Sequence, residues 1–149
     1  MNKFITLRYW ILILLAVFIL TISSGIGTGV PLLNILFGFL AGWYAARRAQ
    51  ALYGDRKRIL QKIFIYSLFC AGVSLVIMLA IWARTIPLLF DPAADIANFG
   101  HPMILYEPRM SFIGWLVLMI IISPILQLMA SIFSAFITLM AAQPGTLKE

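Results

Sequence analysis

Residues 63–83 read IFIYSLFCAGVSLVIMLAIWA and contain no charged side chain. As a helix these 21 residues would be about 32 Å long, close to the thickness of the hydrocarbon core of a bilayer. Charged side chains are costly at that depth, so an uninterrupted apolar run of this length is typical of a membrane-spanning helix. The stretch therefore predicts one crossing of a membrane.

The composition of the whole chain agrees with that prediction. Of its 149 residues, 63% are hydrophobic and 11% are charged, whereas soluble domains have roughly 45–50% and about 25%. A soluble domain of this size could not hide so much apolar surface. We predict an all-α fold and a single transmembrane domain over residues 1–149. The one cysteine, Cys70, excludes an intramolecular disulfide and any multi-cysteine metal cluster.

The first long charge-free stretch covers residues 9–46 and is too long for one crossing. Its middle, SSGIGTGVP over residues 23–31, contains three alternating glycines followed by a proline, a pattern that interrupts helices. We expect a helical hairpin with spans at about 9–24 and 31–46. Cleavage of a signal peptide after the first apolar run is the alternative, because Lys3 and Arg8 precede that run.

The last charge-free stretch covers residues 110–142 and would be about 50 Å long as a helix. We expect the fourth span at about 110–135, with a kink at Pro124, because proline removes one backbone hydrogen bond. A fifth crossing that turns at Pro124 and uses residues 125–142 is the alternative. The predicted architecture is an integral membrane four-helix bundle: the hairpin, the span at 63–83 and a long, kinked last helix.

The distribution of basic residues predicts the orientation. Nine of the 11 lysine and arginine residues fall on one side of the predicted spans, and only Arg84 and Arg109 fall on the other. The basic loop 47–62 and both termini should therefore be cytoplasmic, and the loop 84–109 should lie outside. We expect a multi-pass protein of the cell inner membrane.

Small and polar residues at membrane depth indicate where helices pack. Gly38 and Gly42 form a GxxxG motif, which lets another backbone approach closely. Ser67 and Ser74 lie on one face of the third span, and Pro124 with Gln127 marks the predicted kink. These six residues are the predicted helix-packing residues, either within the monomer or between copies of the chain.

The basic loop suggests contact with anionic lipid headgroups. The residues concerned are Arg47, Arg48, Arg56, Lys57, Arg58 and Lys62. The alternative is purely topological, namely that these charges keep the loop inside the cell. Nucleic-acid binding is not expected, because no soluble domain is present to form a groove.

The outer loop contains Asp91, Asp95, His101 and Glu107, all of which are residue types that can bind a metal ion. Their spacing matches no metal motif, and both Asp91 and Glu107 precede a proline. We therefore expect these two carboxylates to cap helices, and we predict no metal and no cofactor. The apolar residues 86 and 88–90 suggest that the loop lies along the outer membrane interface.

No ionisable residue falls inside a predicted span, which argues against proton-coupled transport. No nucleophile, base and orienting group occur at one depth, which argues against an enzyme. The expected function is that of a non-enzymatic helix-packing component, either a homo-oligomer or the small subunit of a membrane complex. The alternative is an oligomeric channel or carrier lined by uncharged polar residues.

Overall fold

The computed structural model describes Leu15, residues 32–103 and residues 105–142. Three long helices occupy most of this part of the chain: α1 is Leu32–Leu52, α2 is Arg56–Trp82 and α3 is Pro108–Ala141. No strand occurs among these residues, so the all-α prediction is confirmed for them. The predicted first span, 9–24, lies outside the described residues apart from Leu15.

Two of the described helices, α2 with 27 residues and α3 with 34, are long and apolar enough to cross a membrane. At 1.5 Å per residue they are about 40 and 51 Å long, which exceeds a hydrocarbon core of about 30 Å. Helix α1 is less apolar overall because Asn34 lies near its start and Arg47 and Arg48 near its end. The crossing of the bilayer by residues 31–46 stays a prediction.

The segment 47–62, predicted as a basic loop, is mostly helical in the structure. Helix α1 continues to Leu52 and α2 begins at Arg56, so the connection is only three residues long. Asp55 caps α2, since its carboxylate accepts a hydrogen bond from the Lys57 backbone N–H at 3.3 Å. The helices extend beyond the charge-free stretches because charge limits how deep a segment can lie in a bilayer, whereas arginine and lysine are good helix formers. The limits of the membrane spans stay a prediction.

The irregularity predicted at Pro124 lies one turn earlier in α3. Residues Leu118–Ile122 form a π-helical turn, and the Ser123 backbone N–H donates to the carbonyl of Leu118, five residues back. Proline cannot donate a hydrogen bond and its ring crowds the preceding turn, so a widened turn at that point relieves both effects. The helix continues to Ala141, and the alternative of a chain reversal at Pro124 is therefore wrong.

The described residues divide into two compact units, each with its own hydrophobic cluster. One unit includes the residues up to Asn34 and Ser74–Ser123, and the other includes Ile35–Val73 and the residues from Pro124 onward. The cluster of the first unit consists of Ile96, Phe112, Trp115, Leu116 and Met119. The cluster of the second consists of Ala46, Ala49, Ile63 and Ala135.

The segment between α2 and α3 contains two short 3-10 helices, Ile86–Leu89 and Ile96–Asn98. Leu88 and Leu89 are partly buried and pack against the hydrophobic cluster of the first unit. Phe90 remains 81% exposed. Two of the four apolar residues therefore contact their own unit, and the position of the segment at a membrane interface stays a prediction.

Candidate functional site

Gly38 and Gly42 of α1 lie directly against the backbone of α3, within the second unit. A Cβ atom built on Gly38 would overlap the carbonyl oxygen of Gln127 and lie 3.1 Å from the Cβ of Ala130. A Cβ built on Gly42 would overlap the carbonyl oxygen of Ser131 and lie 2.7 Å from its carbonyl carbon. Only glycine fits at such distances. We call Gly38, Gly42, Gln127 and Ser131 the glycine contact.

Hydrogen bonds join α1, α2 and α3 beside this contact. The hydroxyl groups of Ser67 in α2 and Ser131 in α3 are 2.8 Å apart, and both residues are buried. The Ser134 hydroxyl donates to the carbonyl of Phe39 in α1 at 2.7 Å. Ser67, a predicted packing residue, is thus brought to the glycine contact. Ser131 forms a small face with Ala135 in the sequence but was not among the six predicted packing residues, although it follows Gln127 by the same four residues that separate the two glycines.

Gln127 occupies an unusual position in the glycine contact. Its carbonyl oxygen faces Gly38, and its side chain is 1% exposed. Neither the amide nitrogen nor the amide oxygen of the side chain has a hydrogen-bond partner among the described residues. A buried polar group without a partner costs about 1–3 kcal/mol, so burial of the Gln127 side chain lowers the stability of the contact.

The other predicted packing residues are also buried. In the first unit, the Asn34 amide nitrogen donates to the Ser123 hydroxyl at 2.6 Å, and Ser74 is 1% exposed. Pro124 is buried in the second unit. The contact between Asn34 and Ser123 was not predicted. The two residues are 89 positions apart in the sequence, and no spacing pattern indicates that they meet.

The glycine contact and its serine hydrogen bonds are the clearest candidate site in the described part of the chain. Known protein families, curated proteins and solved structures give no match to this chain. The chemistry of this site consists of close backbone approach and neutral hydrogen bonds, which are the interactions that join helices in membranes.

The six basic residues predicted to contact lipid fall into two groups. Arg47, Arg56, Lys57 and Arg58 are exposed. Arg48 and Lys62 are partly buried and lie over aromatic rings: the Arg48 guanidinium is 5.6 Å from the centre of the Tyr66 ring, and the Lys62 ammonium is 5.9 Å from that of Tyr53. Only the first group presents its charge outward.

The acidic residues of the segment between α2 and α3 act as caps in the structure. Glu107 caps α3, as predicted, by accepting a hydrogen bond from the Met110 backbone N–H at 2.8 Å. Asp91 was predicted to cap a helix but caps only a turn, accepting from Ala93 at 2.9 Å. Asp95 accepts from the Asn98 side chain at 2.7 Å. Among the described residues, no three histidine, cysteine or acidic side chains are grouped to hold a metal ion.

An aromatic cluster in the first unit was not predicted. The rings of Trp82 and Trp115 meet edge to face with centres 4.5 Å apart, and His101 packs 5.2 Å from Phe112. His101 is 7% exposed and belongs to this cluster. These rings come from α2, from the segment between α2 and α3, and from α3, and no periodicity along the sequence indicates that they would meet.

Proposed function

We propose that this chain is a multi-pass integral membrane protein that acts without catalysis, as a helix-packing component of a membrane assembly. The observation that carries the membrane and helix-packing part of the proposal is the glycine contact, where α1 approaches the α3 backbone so closely that no Cβ fits. Such contacts replace the hydrophobic effect as the source of helix association in lipid. The assembly is either a homo-oligomer or a larger complex in which this chain is a small subunit.

The two glycines of the GxxxG motif already contact another helix of the same chain, which limits the surfaces available for assembly. Because Gly38 and Gly42 already face α3, a second copy or another subunit would have to use a different surface. The outward faces of α2 and α3 offer large apolar side chains, among them Val76, Met129 and Phe136, which are 66%, 61% and 57% exposed. These faces suit lipid and neighbouring transmembrane helices alike.

An oligomeric channel or carrier is the second candidate, and Gln127 is the observation that favours it. A buried amide without a partner among the described residues is retained at a cost to stability. Polar groups kept at such a cost inside membrane proteins frequently line a pathway for a solute or ion. In a helix-packing component, the buried Gln127 amide is a consequence of close packing. In a channel or carrier, the amide would bind the transported solute or ion.

The mass of the native complex distinguishes the two candidates. After extraction from native membranes in a mild detergent, we expect a complex larger than one chain, either a multiple of the chain mass or a mixture with another protein. The same preparation in sealed vesicles should not increase the flux of small solutes over empty vesicles. A monomeric mass, or flux that Gln127→Met abolishes, would contradict the helix-packing proposal.

The predicted orientation can be tested with single cysteines. In a Cys70→Ser background, Ala97→Cys should react with a membrane-impermeant maleimide in intact spheroplasts, because Ala97 is exposed in the outer segment. Ala51→Cys, exposed at the end of α1, should react only after the membrane is permeabilised. The reverse pattern would show that the basic end faces outward.

A further inference from the structure

An apolar groove runs between α2 and the C-terminal half of α3, within the second unit. Leu60 and Phe64 form one wall, Ile132 and Phe136 form the other, and these side chains are exposed to a substantial degree. The groove holds about 90 Å³. That is well below the roughly 300–1,000 Å³ of small-molecule sites, so the groove suits a narrow, flexible chain.

The shape of the groove also fits an extended hydrocarbon chain. Its base is Ala135, which is 1% exposed, and all the residues that line it are apolar. The α3 wall extends from Ile132 to Leu139, which corresponds to about 10 Å along the helix axis. The groove is open at the side, where a membrane helix meets lipid.

An apolar groove alone cannot select one lipid, because the surrounding acyl chains are equally apolar. Selectivity has to come from the headgroup and therefore from charge. Arg56 and Lys57 precede Leu60 by four and three residues, so they lie on the groove face of α2, one turn nearer the start of the helix. Both are exposed, and their side chains lean toward that start, away from the groove.

The neighbouring basic residues are placed differently. Arg58 precedes Leu60 by two residues, which puts it about 200° around the helix from that wall. Lys62 and Arg48 lie over the rings of Tyr53 and Tyr66. The pair that continues the groove is therefore Arg56 and Lys57, and Arg58, which carries the same charge as each of them, offers a control on another face of the same turn.

We propose that this groove binds one acyl chain of an anionic phospholipid, whose phosphate contacts Arg56 and Lys57. This inference rests on the proposed membrane location. The lipid would then be a specific ligand of the protein, in addition to forming the surrounding bilayer. A zwitterionic lipid of the same chain length would fill the groove but would gain less from the two cations.

Lipid selectivity is the first test. Purified protein in mild detergent would be titrated with dioleoyl phosphatidylglycerol or dioleoyl phosphatidylcholine, and binding would be followed by native mass spectrometry and melting temperature. Each cation near an anionic surface strengthens binding about fivefold, so the Arg56→Gln/Lys57→Gln variant should bind phosphatidylglycerol about 25-fold more weakly. Arg58→Gln should change binding by less than about twofold, and inorganic phosphate alone should leave the melting temperature unchanged.

Equal binding of the two lipids, or an equal loss with Arg58→Gln, would overturn the proposal. The position of the acyl chain is tested with phosphatidylglycerol that has a diazirine in one chain, reconstituted into vesicles. Cross-links should concentrate on Phe64, Ile132 and Phe136, and equal labelling of Val76 on α2 would overturn the groove assignment. A chain that does not enter vesicles at all would instead refute the membrane location and thus the proposed function.

Discussion

Replacing Gly42 with alanine should lower the free energy of unfolding by about 1–3 kcal/mol, and replacing it with leucine should lower it by more. The added Cβ would overlap the carbonyl oxygen of Ser131. That oxygen is backbone and belongs to α3, so it cannot move without shifting the helix. The contact therefore has to open, and opening it also disturbs the nearby hydrogen bond between Ser67 and Ser131.

The measurement is reversible unfolding in detergent micelles, with Gly72→Ala as the matched control. Gly72 is also a helical glycine, but a Cβ built on it would meet nothing within 4 Å. Alanine is favoured over glycine in helices by up to about 1 kcal/mol, so Gly72→Ala should leave stability unchanged or raise it. Equal losses for the two variants would show that the loss at Gly42 does not come from its close approach to Ser131, and would contradict the glycine contact.

The two glycines illustrate what the sequence could reveal about the site. Their spacing of four residues predicted that both lie on one helix face. The spacing could not predict what that face meets, because Gln127 and Ser131 are some 90 residues further along the chain. Contacts between helices depend on the arrangement of whole elements, and a single sequence contains that information only indirectly.

Helix boundaries were harder to predict than helix type. Absence of charge indicated which segments are apolar enough for a bilayer. Both neighbouring helices nevertheless extend into the charged region: α1 ends at Leu52 and α2 begins at Arg56. A helix ends where its hydrogen bonds end, and charged side chains do not break those bonds. Pro124 similarly predicted an irregularity in α3. The position of the widened turn, Leu118–Ile122, could not be predicted, because it depends on which backbone N–H groups donate to the carbonyls before the proline.

Gln127→Met should raise the free energy of unfolding by about 1–3 kcal/mol. Methionine has a similar length and no strong polar group, so it fills the same space and removes the buried amide that has no partner among the described residues. The backbone carbonyl that faces Gly38 is retained. The glycine contact should therefore remain intact in this variant.

Ser67→Ala is the matched comparison for Gln127→Met, because it removes a buried polar group that does have a partner. Hydrogen bonds between membrane helices contribute about 0.6 kcal/mol on average, so this variant should lose stability, and the two changes should have opposite signs.

If Gln127→Met also lost stability, the amide would have to be hydrogen bonded in the membrane by a group outside the described residues. A solute in a pathway or a polar side chain of another subunit could supply that bond. Flux in vesicles would then distinguish the channel from the assembly, because only the channel loses transport when the amide is removed.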